Sequence, residues 1–237
     1  MSILFVADIH LSPQRPTIVR AFLGFLNGRA QEAEALYILG DLFEAWIGDD
    51  DPSELASSIK TALAELGDKG VSVFIQRGNR DFTLGDRFAR ETGATLLADE
   101  HIINDYGTQA LLMHGDSLCT DDVEYQRFRK KSRHPIYLWC LVHLPLRVRQ
   151  NIATSWRKKS AAANSNKASQ IMDVNETAVL AVMSKHNAGT LVHGHTHRPD
   201  THQLGDNQRI VLGDWDKLGW CLTLDRDGFH QDSFTLV

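Results

Sequence analysis

Residues 35–41 read Ala35-Leu36-Tyr37-Ile38-Leu39-Gly40-Asp41: five apolar positions, a glycine, then a carboxylate. An unbroken apolar run of this length suits a strand buried on both faces, and the glycine behind it suits a sharp turn. Upstream, Ile3–Ala7 repeats the pattern and ends in Asp8-Ile9-His10; downstream, Val71–Gln76 leads into Gly78-Asn79-Arg80-Asp81. Helical patterns fill the intervals, at roughly Pro16–Gln31 and Pro52–Leu66. The second opens with Asp51 as N-cap, Pro52 at the first helical position and Glu54 as the reciprocal acid. Buried strands alternating with helices imply a parallel sheet covered by helices.

Beyond a helix near Leu84–Thr92 the pattern turns to strands, Glu100–Asn104 and Thr108–Met113, with a turn at Gly107. A segment at about 120–172 follows, and then a helix capped at Asp173, with Glu176 at its third position, running to about His186. Thr190–His193, Arg209–Leu212, Gly219–Asp225 and Phe229–Leu236 are expected to form a second, largely antiparallel set.

Composition narrows the class. With 237 residues, 43% hydrophobic and 23% charged, the chain is long enough for a sizeable core and excludes collagen, coiled coil and disorder. A net charge of −5 argues against a generic nucleic-acid binder. That charge is unevenly spread: residues 121–170 carry eleven Lys/Arg against three acids, a block of +8 in a body of −13. Such a block points to a partner of its own, with anionic lipid or nucleotide as candidates. Within it, Ile136–Leu146 is an eleven-residue apolar stretch broken by His143 and Pro145, too short to span a bilayer. It reads as an amphipathic lid that lies at a membrane interface or walls an apolar pocket. The N-terminus lacks a basic segment and meets Asp8 early, so no signal peptide is expected. Cys119, Cys140 and Cys221 form no CxxC pair, which suits a reducing compartment.

In parallel sheets, ligands gather beyond the carboxyl ends of the strands. Polar residues stand at five such ends: Asp8 and His10, Asp41, Asn79 to Asp81, His114 to Asp116, and His195 and His197. Seven of them, Asp8, His10, Asp41, Asn79, His114, His195 and His197, are candidate metal ligands. Two divalent ions about 3.5–4 Å apart need a bridging anion between them, and Asp41 is the natural bridge. Mixed imidazole and oxygen donors favour Mn, Fe or Zn over Ca or Mg. Asn79 adds a neutral oxygen, limiting the negative charge that would face a phosphate.

Asp-x-His, Gly-Asp, Gly-Asn-x-Asp, His-Gly and Gly-His-Thr-His, in this order, resemble the calcineurin-like metallophosphoesterase family. The resemblance implies a four-layer αββα sandwich in a single domain over residues 1–237, with 120–172 as a helical lid insertion. It also implies two Mn²⁺ ions per chain. One would be held by Asp8, His10, Asp41 and His197, the other by Asp41, Asn79, His114 and His195.

Where the family commonly has Gly-Asn-His-Asp, this chain has Arg80. A guanidinium stays charged and cannot act as a general acid, but it does stabilise charge on a phosphoryl oxygen. A pyrophosphate expels a phosphate, whose second pKa is about 6, so it leaves without a proton. The substitution favours P–O–P cleavage.

Longer strings, among them Gly40-Asp41-Leu42-Phe43-Glu44-Ala45-Trp46 and His114-Gly115-Asp116-Ser117-Leu118-Cys119, resemble one branch of the family. That branch cleaves UDP-2,3-diacylglucosamine in lipid A synthesis by water attack on the α-phosphorus. The likeness implies catalytic roles for Asp41, Arg80 and His195. It implies substrate contacts at Asn79, Arg80, Asp122, Ser160, Asn164, Lys167 and His195. It also implies a cytoplasmic protein held peripherally at the inner-membrane surface, without nucleic acid as partner. The alternatives are another metal-dependent phosphodiesterase or phosphatase of the same fold, a nuclease using the basic block, and a non-catalytic scaffold.

Overall fold

The apolar run that ends at Asp41 is buried on both sides because two sheets lie face to face and helices cover their outer faces. The structure, a computed structural model, describes residues 2–164 and 173–236. In chain order the elements are β1 (Ile3–Val6), α1 (Pro16–Asn27), β2 (Ala35–Leu39), α2 (Glu54–Asp68), β3 (Ser72–Gln76), α3 (Asp86–Thr92), β4 (Thr95–Leu96), β5 (His101–Asp105) and β6 (Thr108–Met113). There follow α4 (Val123–Ser132), α5 (Pro135–Val142), α6 (Leu146–Asn164), α7 (Glu176–Lys185), β7 (Thr190–His193), β8 (Asp200–Leu204), β9 (Asn207–Val211), β10 (Leu218–Asp225) and β11 (Gly228–Thr235).

One sheet has the order β11-β10-β1-β2-β3-β4 and the other β5-β6-β7-β9-β8. In β1 the pleat sends Leu4 and Val6 to the helix side, where they meet Phe22, Ile59 and Phe88. Ile3 and Phe5 point the other way, into a layer with Tyr37, Leu112, Val192 and Ile210. Phe5 stacks on Tyr37 with ring centroids 5.2 Å apart. The outer face of the second sheet is closed by α7, through Val179, Val182 and Met183 against Leu111 and Leu191. The four-layer αββα sandwich is thereby complete.

Two expectations are corrected. The late strands do not form one antiparallel set: β10 and β11 join the first sheet, β10 running antiparallel to β1, while β7 is parallel to both β6 and β9. Two helix starts also move. Ser53, not Asp51, caps α2 by accepting from Ala56 N, while Asp51 Oδ1 accepts from Ser53 N one turn earlier. Asn175, not Asp173, caps α7 by accepting from Ala178 N.

Residues after β6 form three helices, α4 to α6, over one end of the sandwich. Arg149 of α6, only 3% exposed, fastens them to the core. Its Nη1 donates to Ile47 O at 2.6 Å and to Asp50 Oδ1 at 2.7 Å, and Nη2 pairs with Asp50 Oδ2. Phe82 from the core and Phe128 from α4 both contact the ring of Trp156 in α6, at centroid distances of 6.0 and 5.3 Å.

Candidate active site

Register builds the site. Val6 is level with Ile38, so the loops that leave β1 and β2 run side by side: Asp8 N donates to Gly40 O and His10 N to Asp41 O. Met113 is level with His193, and Gly194 N donates to His114 O. The two sheets meet at these loops, where Asp8 Oδ2 accepts from His195 N at 2.7 Å.

Five of the seven candidate ligands hold left-handed backbone: Asp8 and His10 at φ 53°, Asp41 at 53°, His195 at 68° and His197 at 55°. Such geometry is uncommon outside glycine, and it gathers where the surrounding structure imposes it. The neighbouring glycines make room. A Cβ built on Gly78 would overlap Asp41 Oδ1 and N, and one on Gly194 would overlap Asp8 Oδ2.

The donor atoms converge in two groups, Asp8-His10-His197 and Asp8-Asp41-His114, each with its ligand atoms within 4.8 Å of one another. In the first, Glu44 Oε2 lies 3.3 Å from His10 Nδ1, and Asp214 Oδ2 lies 3.3 Å from His197 Nδ1. Each carboxylate faces the Nδ1 edge of its ring, at a geometry that leaves His10 Nδ1 without a hydrogen bond among the described residues, and the Nε2 edges turn inward. The two Nε2 atoms stand 3.3 Å apart, with Asp8 Oδ1 at 3.4 Å from His197 and 4.0 Å from His10. Asp8 Oδ1 is buried without a hydrogen-bond partner. Burial works against protonation of His197, yet Asp214 and Asp8 push its pKa up to about 10. Converging lone pairs that draw in positive charge fit a divalent ion.

The second group has the same logic. His114 Nδ1 donates to Leu39 O at 2.9 Å, so its Nε2 faces Asn79 Oδ1 at 3.0 Å and Asp41 Oδ1 at 3.8 Å. Asp41 Oδ2 is 3.9 Å from His10 Nε2, so this one carboxylate reaches both groups. The His195 ring lies 5.0 Å from that of His114. Burial, followed by the charge of His114, pushes His195 down to about 4 and keeps it neutral, the form that ligates a metal.

The family model for calcineurin-like phosphoesterases matches residues 1–199. The chain belongs to that family. Proteins named UDP-2,3-diacylglucosamine hydrolase from Pseudomonas paraeruginosa and Azotobacter vinelandii are 52% and 48% identical to it, each over 240 residues and the whole of both chains. A zebrafish (Danio rerio) dimetal phosphatase shares the fold at a TM-score of 0.52 with 14% identity, covering 100% of this chain and 99% of its own.

In this phosphoesterase the cavity beside the donor cluster holds about 380 Å³. Asn79, Arg80, Glu44 and Arg157 line it together with Phe82, Phe128, Leu141, Ile152 and Trp156. Arg80 N donates to Asp41 Oδ1 at 2.8 Å, and its guanidinium stands at the cavity edge. Asp122 lines the same cavity and caps α4, accepting from Tyr125 N. Ser160 and Asn164 fall on α6, but their side chains, and Lys167 altogether, lie outside the described residues.

Two other carboxylates at these strand ends have structural duties. Asp81 is buried under the Asn79 loop, accepting from Gly78 N and Phe43 N. Asp116 Oδ2 accepts from Tyr125 Oη at 2.6 Å, Arg129 Nε at 2.9 Å and Arg133 Nη2 at 3.2 Å, tying α4 to the sandwich. Tyr125 in turn stacks on His195 at 6.2 Å. Sequence reasoning passed over Glu44 and Asp214. Asp214 follows Gly213 after a strand, the same Gly-Asp punctuation as Gly40-Asp41, so its signal was available. Glu44 carried none: it reaches His10 because Leu11 and Phe43 pair beyond the strands and Glu44 N donates to Leu11 O.

Proposed function

We propose that this phosphoesterase hydrolyses the pyrophosphate of UDP-2,3-diacylglucosamine, giving UMP and 2,3-diacylglucosamine 1-phosphate. The observation that carries the reading is the continuity between the apolar cavity and the donor cluster. A ligand whose chain fills the space among Phe82, Phe128 and Trp156 has its polar end at Asn79 and Arg80. A diacylated sugar with a pyrophosphate is such a ligand, and the substrate named in the relatives of 48–52% identity is of that kind.

Asp8, His10, Asp41 and His197 would hold one Mn²⁺, and Asp41, Asn79, His114 and His195 the second. Such ions supply charge neutralisation at a phosphoryl group and lower the pKa of water at neutral pH. Asp41 fixes the spacing of the two sets, since each of its oxygens faces one of them. His195 and Asn79 orient the α-phosphoryl group. Arg80, permanently charged, offsets charge on the departing lipid phosphate, which needs no proton. Asp122, Ser160, Asn164 and Lys167 are assigned to the head group by the likeness to the branch.

Ile136 and Trp139 are 68% and 63% exposed on α5, flanked by Lys130, Lys131 and Arg147. That pairing supports peripheral contact with the anionic inner-membrane surface from the cytoplasm. Among the described residues no helix is long and apolar enough to cross a membrane. Turnover in H₂¹⁸O tests the reading: label is expected in UMP. Label in the lipid phosphate would show β-attack, and cleavage of simple phosphodiesters in preference to the lipid substrate would favour another phosphodiesterase.

A further inference from the structure

We infer that Glu44 is a positioning residue through which the lid helix α6 acts on the metal site; this rests on the reading of His10 as a ligand. The carboxylate is divided between two tasks. Oε2 lies 3.3 Å from His10 Nδ1, on the far side of the ring from the donor cluster. Oε1 lies 2.7 Å from Arg157 Nη2 and 3.9 Å from Arg80 Nη1. Glu44, at the cavity wall, therefore joins a histidine at the end of β1 to an arginine on α6.

A carboxylate on the Nδ1–H of a ligating histidine fixes its tautomer and ring orientation and raises the basicity of Nε2. Here the carboxylate stands on a loop beyond β2, and its side chain has three rotatable bonds. Arg157 holds the oxygen that does not face His10. With Arg157 in place, the rotation of Glu44 is restricted and its Oε2 stays within 3.3 Å of Nδ1; without Arg157, that restraint goes. Two effects of removing Arg157 oppose each other. Glu44 becomes a stronger base, which favours His10 as a ligand, but it also loses its orientation, which disfavours it. Orientation prevails, because Arg157 is partly solvated and its charge is screened. The Arg157–Glu44 pair and the orientation of His10 are thus coupled through one carboxylate.

The test is Mn²⁺ affinity, read from the electron paramagnetic resonance signal of free Mn²⁺ titrated with full-length protein, for wild type, Glu44→Ala, Glu44→Gln, Arg157→Ala, the Glu44→Ala/Arg157→Ala pair and His10→Ala. Glu44→Ala is expected to weaken one of the two ions by about 10–100-fold, the range for outer partners of ligands. Glu44→Gln should recover much of that loss, since its amide oxygen still accepts from Nδ1–H. Arg157→Ala should weaken the same ion by a smaller factor and add nothing in the Glu44→Ala background. Melting temperatures recorded in parallel identify any variant that has not folded, and Glu44→Gln, of nearly the same shape, then carries the comparison. If His10→Ala weakens Mn²⁺ binding and neither Glu44 variant does, the inference is overturned and the metal site stands. Additive losses from Glu44→Ala and Arg157→Ala would overturn the coupling. If wild type binds no Mn²⁺, the metal reading itself falls, and this inference with it.

Discussion

His10 and His197 are 187 residues apart in the chain, and their Nε2 atoms face each other at 3.3 Å. Behind each ring stands a carboxylate, Glu44 and Asp214, 3.3 Å from the opposite nitrogen. Against the effect of burial, Asp214 and Asp8 push His197 up to about 10, so without metal an Nε2–H lies between the two rings, in the place that a divalent ion would take. The arrangement makes sense around a cation.

Metal removal should therefore abolish turnover. Treatment with EDTA is expected to remove all hydrolysis, and Mn²⁺ to restore it. Asp41→Ala should be the most damaging single change among the candidate ligands, because its two oxygens face both donor groups. Full activity of EDTA-treated protein with no residual metal by elemental analysis would refute the two-ion reading.

The left-handed ligands give a stability prediction that needs no activity assay. At His197, φ is 55°. A Cβ in that conformation costs roughly 1–2 kcal/mol, against about 0.5–1 kcal/mol of extra chain entropy that glycine loses on folding. In EDTA, His197→Gly should melt above His197→Ala by roughly 1–4 °C for a chain of this size. Equal melting temperatures, or the reverse order, would show that the backbone there relaxes freely.

Arg80→Ala is expected to lower kcat/KM by about 10²–10³, the range for loss of one preorganised oxyanion donor. Arg80→His should not restore it if the departing phosphate needs no acid. Full activity of Arg80→Ala would leave the side chain with only its distant pairing to Glu44.

Helix α5 is expected to decide between substrates. Trp139 and Leu144 are exposed on or next to α5, whereas Leu141 is buried. Replacing Trp139 and Leu144 with Asp should depress hydrolysis of vesicle-borne diacylated substrate and spare metal-dependent cleavage of bis-p-nitrophenyl phosphate. Equal loss on both would indicate damage to the fold.

The Arg149–Asp50 clamp adds a pH dependence. Hydrogen bonding from Arg149 holds the Asp50 carboxyl below its usual range. A lowered folded-state pKa contributes stability that is fully present above the unfolded value, about 3.9, and is lost as pH falls through the folded one. The melting difference between wild type and Asp50→Asn should thus be constant above about pH 5 and shrink toward pH 3. Asp50 is half exposed, so the whole effect should stay within roughly 1 kcal/mol. A difference that grows on acidification would contradict the clamp.

The strands that bear the site were readable because burial on both faces leaves an apolar run, unbroken in Ala35–Leu39 and reduced to Leu191 and Val192 within Thr190–His193; both match residue for residue. Edge elements left no such trace. In β8, Asp200-Thr201-His202-Gln203-Leu204 is half exposed and polar, and nothing in it separates a strand from a loop. Pairing partners were equally hidden, since the alternation in Gly219–Asp225 specifies a buried face but not which sheet supplies it. Caps failed for a chemical reason: Asp51 and Ser53 are both good caps, and only the backbone decides which carboxyl or hydroxyl faces the helix end. The candidate ligands were marked by glycine punctuation at strand ends, whereas Glu44 reaches its histidine through a tertiary pairing of two loops.

The left-handed backbone at His10 and His197 has a bearing on how this protein evolves in the laboratory. Each is a position where glycine escapes a Cβ penalty that the histidine carries. A library selected only for heat resistance should drift toward glycine at positions 10 and 197 and lose its chemistry as it gains robustness. Sequence profiles from such a selection would mark the site by what is discarded, with no substrate in hand.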